Sequence, residues 1–380
     1  MTPIRKLFIA NRAEIALRIV RSARRLGIET VVPWHAADSH GPALREADAT
    51  VQLSGEPPVS AFLDIDGLVR AARDTGCDAI HPGYGFLSEN AAFARAVAEA
   101  GLVFVGPNAE VIERMGDKIR ARRFAVEHGI PVTPAADEAD DPASFAERAQ
   151  AVGFPLLVKG AAGGGGKGMQ IVREPARLAE AIAVARRESE RYFGDGRLFA
   201  ERFVERPRHI EVQVFGDAHG QVIHLGEREC SIQRRFQKLI EETPAPGLDP
   251  GLRERICSAA VRLAQAAGYV NAGTVECIVS PEGEFFFLEM NTRLQVEHPV
   301  TECVTGLDLV EWQLRVAAGE PLPLTQAQVR WHGHAIEARL LAEDADAGFV
   351  PDTGRVHRLR WAQGPGLRID AGVTPGAPVT

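Results

Sequence analysis

The first third of the chain alternates short apolar runs with segments of helical periodicity. Residues 6–10 form an apolar run, and the helical pattern after it places Ile15, Ile19 and Leu26 near one face, with Gly27 positioned as its C-cap. The same alternation continues, with strands predicted at 28–34, 78–81 and 102–106 and helices at 62–75 and 90–100. Repetition of strand, helix and strand predicts a parallel sheet covered on both faces, with functional loops at the carboxyl ends of the strands.

The rest of the chain predicts mainly hairpins and alternating strands. Residues 106–129 have a helical pattern with Asp117 and Lys118 inside it, and a small separate unit starts near Pro131. Asp249 and Pro250 are typical of an N-cap and a first helical position. Strands are predicted at 154–160, 167–172, 198–204, 208–216, 221–235, 272–280, 284–290 and 332–344, and helices at 249–268 and 306–318.

Residues 285–299 carry a polar side chain at every second position after an apolar run. These positions are Glu289, Asn291, Arg293, Gln295 and Glu297. If the segment is extended, all of them line one face. Oxygen donors two residues apart suit Mg²⁺ or Mn²⁺, and Glu276, a carboxylate among apolar neighbours on the preceding strand, could share such an ion. The alternative is an edge strand whose polar face is exposed to solvent and binds no ligand.

Four glycines at 163–166 separate two predicted strands, the first of which ends at Lys159. They indicate a mobile loop whose bare N–H groups can surround phosphate oxygens. The segment matches neither a Walker A loop nor a dinucleotide-binding fingerprint, and the alternative is a flexible linker. The next strands carry several cationic side chains, which are predicted to contact an anionic ligand. The alternative is that they are exposed to solvent and bind nothing. They are Arg208, His209, Arg228, Arg234, Arg235 and Lys238.

The loop at residues 81–90, HPGYGFLSEN, follows a predicted strand of the parallel sheet. Two glycines, a proline and a tyrosine in five residues favour a rigid loop that lets the backbone come close to a ligand. A tight turn without chemical importance is the equal alternative.

Composition narrows the class of protein. The chain has 380 residues, 45% of them hydrophobic, which is typical of a globular protein. Its net charge of -8 argues against nucleic-acid binding through a generally positive surface. No apolar run approaches membrane-spanning length, and the start of the chain leads into a strand pattern rather than a signal peptide. The five cysteines form no C-x-x-C pair, which is typical of reduced thiols in a cytoplasmic protein.

Motifs over nearly the whole chain resemble those of the biotin carboxylase component of biotin-dependent carboxylases, in the ATP-grasp superfamily. In order they are IANRAEIALRI, IHPGYGFLSENAAFA, MGDK, KGAAGGGGKGM, ERFVERPRHIEVQV, ERECSIQRRFQK, EETPAPG and LEMNTRLQVEHPVTE. The resemblance implies an α/β fold of the α+β ATP-grasp type. Its parts would be a Rossmann-like domain at 1–115, an ATP-grasp domain at 116–320 with a lid at about 131–204, and an incomplete β-rich C-terminal domain at 331–380.

The resemblance also implies the reaction and its partners. MgATP would activate bicarbonate through carboxyphosphate, and N1′ of biotin on a carrier protein or domain would be carboxylated. The implied cofactor is a pair of Mg²⁺ or Mn²⁺ ions. The implied partners are the biotin carboxyl carrier, a carboxyltransferase subunit and a second copy in a homodimer. The carboxyltransferase, and not this chain, would select acetyl-CoA, another acyl-CoA, urea or pyruvate as the final acceptor.

Site roles are carried over from the resemblance residue by residue. ATP would contact Lys118, Lys159, Gly165, Gly166, Glu201, Arg202, Phe203, Val204, His209, Phe236, Glu276 and Glu289. The metal would bind Glu276, Glu289 and Asn291. Bicarbonate would be held by Lys238, Arg293, Gln295 and the Val296 backbone, with Glu297 as its base. Biotin would lie near Tyr84 and Gly85, with Arg339 stabilising its enolate.

Some positions depart from the family pattern. Ala13 replaces a usual glycine, and Phe236 replaces a polar residue, so a weakened ribose contact is expected. The chain stops before the family's Y-D-x-x-x-x-K segment and has no A-M-K-M biotin-attachment motif, which predicts a fragment or an incomplete protein whose biotin is carried elsewhere. Two other functions are compatible with parts of the sequence. One is another ATP-grasp ligase that activates a carboxylate, and the other is a non-catalytic nucleotide-binding remnant.

Overall fold

A parallel sheet forms the N-terminal part of the protein, as the apolar runs predict. The structure is a computed structural model that describes residues 3–36, 39, 41–161 and 168–379. The strands of this sheet are β1 (Lys6–Ile9), β2 (Glu29–Trp34), β3 (Ala49–Gln52), β4 (Ala79–His81) and β5 (Val103–Phe104). They are parallel in the order β3-β2-β1-β4-β5. The loop at 81–90 therefore leaves the carboxyl end of a central strand.

Helices cover this sheet. They are α1 (Ala13–Arg25), α2 (Pro42–Glu46), α3 (Ile65–Asp74) and α4 (Ala91–Glu99). Gly27 has a φ of +72° just after α1, the left-handed conformation expected of a helix end. The helix predicted at 62–75 starts later, because Asp64 caps it through the amide of Gly67 and Pro58–Phe62 form a 3₁₀ turn.

The helical segment predicted at 106–129 is two helices rather than one, α5 (Ala109–Gly116) and α6 (Lys118–Glu127). Asp117 lies between them in an extended conformation, and its carboxylate accepts hydrogen bonds from the amides of Ile119 and Arg120. A capping Asp begins a new helix at this point, so Lys118 becomes the first residue of α6.

A small antiparallel sheet follows, built from β6 (Ala135–Asp137), β7 (Leu156–Gly160), β8 (Gln170–Val172) and β9 (Leu198–Arg202). The order is β6-β9-β7-β8, with α7 (Phe145–Val152) and α8 (Leu178–Phe193). The predicted antiparallel pairing of the strands that flank the glycine loop is confirmed by the β7–β8 register. Gly165 and Gly166 lie outside the described residues.

A larger antiparallel sheet carries most of the candidate site. Its order is β14-β13-β10-β11-β12-β15. The strands are β10 (Arg208–Gly216), β11 (Val222–Arg234), β12 (Gln237–Thr243), β13 (Asn271–Val279), β14 (Phe285–Asn291) and β15 (Ala335–Ala338). Helix α9 (Pro250–Ala266) packs on β10 and β11, and Asp249 caps it by accepting the Leu252 amide at 2.8 Å.

The strand predicted at 284–290 is confirmed as β14, but the extended conformation considered for all of 285–299 ends at Asn291, and α10 (His298–Thr305) begins within that stretch. The start predicted for the next helix is wrong. Gly306 does not start the next helix but ends α10, with a φ of +71°, and α11 (Leu309–Ala317) begins after Asp308. Pro299 explains the start of α10, because proline favours the first turn of a helix and cannot donate to a strand ladder.

Short strands complete the chain and replace much of the strand predicted at 332–344. They are β16 (Glu343–Asp344), β17 (Val350–Pro351), β18 (Gly354–Arg355) and β19 (Pro378–Val379). The α/β fold class is confirmed. Across the described residues, none of the helices combines the length and the apolar character that crossing a membrane requires.

Candidate active site

Glu276 is a buried acceptor at the centre of the large sheet. The β13–β14 register places it directly opposite Glu289, as predicted for a shared site. One carboxylate oxygen, Oε1, accepts from Lys238 and Asn291 at 2.7 Å and from Gln295 at 2.9 Å, while Oε2 lies 2.8 Å from Nε2 of His209. Burial raises the pKa of Glu276, but Lys238 and His209 outweigh it and hold the pKa well below the usual value.

Lys238 is surrounded by carboxylates. Its Nζ lies 2.5 Å from Glu211 and 2.7 Å from both Glu276 and Glu297. Burial lowers the pKa of this ammonium, but the three carboxylates outweigh burial and raise it well above its usual value. All three N–H donors of the ammonium are therefore used, and Lys238 is a fixed cation at the bottom of the site.

Glu297 lies between two cations. Its Oε1 accepts from Lys238 at 2.7 Å and its Oε2 from Arg339 at 2.9 Å, and the residue is fully buried. Burial raises the pKa of Glu297, but Lys238, Arg228 and Arg339 outweigh burial and lower the pKa to about 2. The carboxylate is thus ionised at neutral pH and can accept a proton once a ligand draws these cations away.

Arg293 projects from the loop after β14 and is fixed by a residue that the sequence did not single out. Its Nε donates to Glu89 at 2.9 Å, and its other nitrogens donate to Asn291 at 3.1 Å and Gln295 at 3.0 Å. Glu89 also accepts the amide of Thr292 at 3.1 Å. Glu89 belongs to the 81–90 loop, whose glycines and tyrosine predict a close approach to a ligand. No local pattern in the sequence indicates that Glu89 contacts residues more than 200 positions away.

Several of the residues predicted to contact ATP lie on the small sheet and α6. Lys159 is buried, with Nζ 2.6 Å from Glu201 and 4.8 Å from the centre of the Phe199 ring. Glu201 also accepts from Thr133 at 2.6 Å and from Arg122 at 3.2 Å. Neither Thr133 nor Arg122 carries a signal in the sequence that would have predicted this contact.

The other predicted ATP contacts lie at the edges of this region. Lys118 Nζ is 3.3 Å from Glu289, which links α6 to β14. Arg202 is partly exposed at the end of β9, the amide of Phe203 donates to Pro155, and Val204 is buried. Phe236 is 52% exposed in the turn between β11 and β12, with a φ of +64°.

The loop with Tyr84 and Gly85 is tied to the N-terminal sheet. Asn11 donates to the carbonyls of Pro82 at 2.8 Å and Tyr84 at 2.7 Å, and the Tyr84 phenol donates to Glu14 at 2.6 Å. Gly85 has a φ of +68°, which favours glycine. These hydrogen bonds hold the loop against β1 and α1, and its rigidity stays a prediction.

Not every cation of the predicted basic group faces a ligand site. Arg228 is completely buried, where it donates to Glu211, Gln213 and Thr301. Arg208 pairs with Glu229, and Arg234 pairs with Glu343. The prediction of an anion-facing role is therefore wrong for the completely buried Arg228, while Arg208 and Arg234 are partly exposed and for them it stays a prediction.

The carboxylate and amide oxygens of this site suit a divalent metal ion. Glu276, Glu289 and Asn291 lie on paired strands, and their hard oxygen atoms are the ligands that Mg²⁺ and Mn²⁺ prefer. His209, Glu211 and Glu276 form a second group whose ligand atoms lie within 4.8 Å of one another. The donor chemistry therefore fits the ion that the resemblance implies.

Comparison with known proteins gives matches along nearly the whole chain. Family models match the N-terminal domain of biotin carboxylase at residues 3–112, the ATP-binding domain of the carbamoyl-phosphate synthase L chain at 117–325 and the C-terminal domain of biotin carboxylase at 337–380. Biotin carboxylase of Halalkalibacterium halodurans is 50% identical over 378 residues, which are 99% of this chain and 83% of the relative. The mitochondrial methylcrotonoyl-CoA carboxylase subunit alpha of Oryza sativa is 48% identical over 99% of this chain, which spans only 52% of that subunit.

Solved structures give the same result. The biotin carboxylase domain dimer of Hydrogenobacter thermophilus 2-oxoglutarate carboxylase, in complex with MgADP, ADP and bicarbonate, has a TM-score of 0.97 at 43% identity and covers 100% of this chain and 84% of that chain. A Campylobacter jejuni biotin carboxylase complex has a TM-score of 0.95 at 41% identity and covers 99% and 84%. The predicted resemblance is confirmed, and the chain belongs to the biotin carboxylase family of ATP-dependent ligases, which carboxylate biotin.

Proposed function

We propose that this chain forms carboxyphosphate from ATP and bicarbonate and transfers the carboxyl group to N1′ of biotin presented by a separate carrier. The observation that carries the proposal is the position of Glu297, a buried carboxylate held between Lys238 and Arg339. A carboxylate between two cations that suit anionic reactants supports the role of a base, and its partner Lys238 also contacts Glu276.

In the proposed mechanism, Lys118, Lys159 and His209 bind the ATP phosphates and ribose, with Gly165 and Gly166 closing over the phosphates. Glu201, Arg202, Phe203 and Val204 form the adenine side, and Phe236 lies near the ribose. Phosphoryl transfer depends mainly on positioning and on cations placed where charge develops. Lys159 and Lys238 lie at buried positions, where charge–charge interactions are stronger than in water.

Glu276, Glu289 and Asn291 would hold the Mg²⁺ or Mn²⁺ ions. A bound divalent ion would shield the phosphate charge and help to orient the γ-phosphoryl group. Lys238 pairs with Glu276, and Lys118 pairs with Glu289. If Glu289 held such an ion, Lys118 would be free to contact the phosphates, whereas Lys238 would keep Glu211 and Glu297 as partners.

Bicarbonate would be held by Arg293, Lys238, Gln295 and the backbone of Val296. Bicarbonate is a weak nucleophile, so its orientation and the removal of its proton are both needed. Glu297 takes that proton in the proposed mechanism. Arg293 is held by Glu89 and Gln295 before any ligand binds, so little reorganisation is required.

Biotin would enter beside Tyr84 and Gly85, with Arg339 stabilising the enolate that forms when N1′ loses its proton. Phosphate released from carboxyphosphate accepts that proton in the proposed sequence. Carboxyphosphate is labile in water, and closure of the glycine segment would exclude water during its lifetime.

The proposed partners are a biotin carboxyl carrier protein or domain, a carboxyltransferase and a second copy of the chain. The relatives include carboxylase subunits named for methylcrotonoyl-CoA, propionyl-CoA and pyruvate, so the final acceptor is proposed to depend on the carboxyltransferase. The described cysteines are free thiols, four of them buried, which supports a reducing compartment such as the cytoplasm.

The direct test is turnover with free biotin. We expect bicarbonate-dependent ADP release that free biotin stimulates, together with transfer of labelled carbon from bicarbonate to biotin. The matched control is Glu297→Gln, which should bind ATP yet fix no carbon. If the rate of ATP hydrolysis depends on bicarbonate but does not increase with biotin, the proposal is contradicted. That result would favour another ligase of the ATP-grasp superfamily.

Arg122 is predicted to make Lys159 available to ATP. When Lys159 turns toward the phosphates, Glu201 keeps a cation only because Arg122 lies 3.2 Å away. In Arg122→Met, Glu201 would retain Lys159 instead, and we expect the KM for ATP to rise about tenfold or more, since breaking a buried charge pair costs about 2 kcal/mol or more.

The control for this prediction is Arg123→Met, which removes the next arginine of α6. Arg123 is about half exposed and pairs with Asp137 and Asp140, so the KM for ATP should not change. An Arg122→Met protein that folds normally and keeps the wild-type KM would show that Arg122 has no such role.

A further inference from the structure

We propose that Glu241 and Glu337 form a carboxylate pair that shares one proton and so positions Arg339 for the reaction. Both are positioning residues in this inference, which rests on the proposed role of Arg339 toward biotin. Neither was predicted as a site residue from the sequence.

The register of two strands brings the carboxylates together. Strands β12 and β15 are antiparallel, and Glu241 pairs directly with Glu337, so the two side chains share one face of the sheet. Glu241 is fully buried, and in the described part of the chain no donor reaches Oε2 of Glu241 or Oε2 of Glu337, although both atoms are buried. Like charges opposite each other are unfavourable, and one proton carried by the pair removes the conflict.

Arg339 cannot neutralise every acidic group around it. Its Nε donates to Glu241 at 2.7 Å, its Nη2 donates to Glu297 at 2.9 Å, and its amide donates to the Leu239 carbonyl at 3.0 Å. Glu337 is a third carboxylate near this single guanidinium. If Glu337 were ionised, it would compete with Glu241 and Glu297 for Arg339.

The other charged groups near Glu337 do not change this balance. Arg228 on β11 is bonded to Glu211, and Lys238 on β12 is bonded to Glu297 and two further carboxylates. From the N-terminal loop Tyr84 faces the pair, and burial, Glu14 and Glu337 together raise the pKa of its phenol, which stays neutral. The remaining neighbour on the α10 side is Glu297, another carboxylate.

The direction of the pKa shifts agrees with a shared proton. Burial, followed by Glu241 and Glu297, raises the pKa of Glu337 to about 8. Burial also raises the pKa of Glu241, against the opposing effect of Arg339. Because Arg339 donates to Glu241, the proton is assigned to Glu337. It is present at neutral pH and is lost as the pH rises through about 8.

The test compares kcat/KM for bicarbonate and for free biotin between pH 7 and pH 9. In the wild type we expect a fall of about tenfold over this interval, as the shared proton is lost. Glu337→Gln cannot ionise, so its ratio between the two pH values should stay near one. Glu241→Gln removes one of the two carboxylate charges that hold Arg339 and should lower kcat at both pH values.

The matched control is Glu242→Gln. Glu242 is the next residue of β12 and contacts His334 instead of Arg339, so this variant should keep the wild-type fall. An equal fall in Glu337→Gln and the wild type, or no fall in the wild type, would overturn the proposal.

Infrared spectroscopy provides a readout that needs neither turnover nor a variant. The wild type at pH 7 should show the carbonyl stretch of a buried protonated carboxylic acid, which disappears as the pH passes about 8. The absence of this band would refute the shared proton even if the chain carboxylates biotin. Its presence in a protein without activity would separate this inference from a failure of the proposed function.

Discussion

Replacement of Lys238 by methionine is expected to lower kcat/KM for biotin carboxylation by about 10³-fold. Among the residues that the structure describes, Lys238 is the one cation that contacts Glu211, Glu276 and Glu297 together. Losing a preorganised charge in a buried site costs about 10²–10³-fold in rate, and here the proposed base and a proposed metal ligand lose their shared partner at once. The measurement is the steady-state rate of carbon transfer from bicarbonate to free biotin.

The same change should also destabilise the fold. Removing one member of a buried ion pair costs about 3–5 kcal/mol, so the midpoint of thermal unfolding should fall. Lys6→Met is the matched control, because Lys6 lies on β1 and its pair with Glu29 is longer, at 3.7 Å. It should leave both activity and unfolding close to wild type. A folded Lys238→Met protein with more than a tenth of wild-type activity would contradict the proposed site.

Replacement of Arg293 by alanine should have the second largest effect, a fall of about 10²–10³-fold in kcat/KM for bicarbonate. The guanidinium is held at 2.9 Å by Glu89 and at 3.0 Å by Gln295, which indicates a clamp that is formed before substrate arrives. Arg293→Lys keeps the charge but loses the planar fork, so it should restore only part of the activity. The reaction is followed at saturating ATP and varied bicarbonate.

Two variants separate this clamp from a general loss of charge. Glu89→Gln removes the carboxylate that orients Arg293 and should raise the KM for bicarbonate more than it lowers kcat. Arg95→Ala removes a half-exposed arginine that pairs with Glu113 at 3.0 Å, and it should be silent. Wild-type bicarbonate kinetics in Arg293→Ala would exclude Arg293 from the site.

Local patterns in the sequence predict much of the architecture correctly. Short β-rich runs between helical segments predict the parallel sheet, and the Asp249–Pro250 pair predicts the start of α9. The hairpin between two apolar strands predicts that Glu276 and Glu289 lie on neighbouring strands. Each of these features depends on residues that are close in sequence, where periodicity and turn chemistry act directly.

The contacts that complete the site could not be predicted in this way. Alternation of polar residues does not reveal that β14 stops at Asn291, because the convergence of Arg293 and Glu297 arises from a loop and a helix start. Glu89, Arg122 and Glu241 each meet partners far along the chain. The buried Arg228 likewise depends on partners from β10, β13 and α10. These contacts exist only after the sheets have assembled.

The pairing of Glu89 with Arg293 has a consequence during synthesis on the ribosome. The two residues are 204 positions apart, so at roughly 5–20 residues per second the glutamate waits roughly 10–40 s for its arginine. In that interval Lys159 and Glu201 have already been made, and the elements proposed to hold the nucleotide precede those proposed to hold bicarbonate. A nascent copy of this chain can thus form the Glu89–Arg293 contact, and with it the proposed bicarbonate site, only when its first and later sections meet.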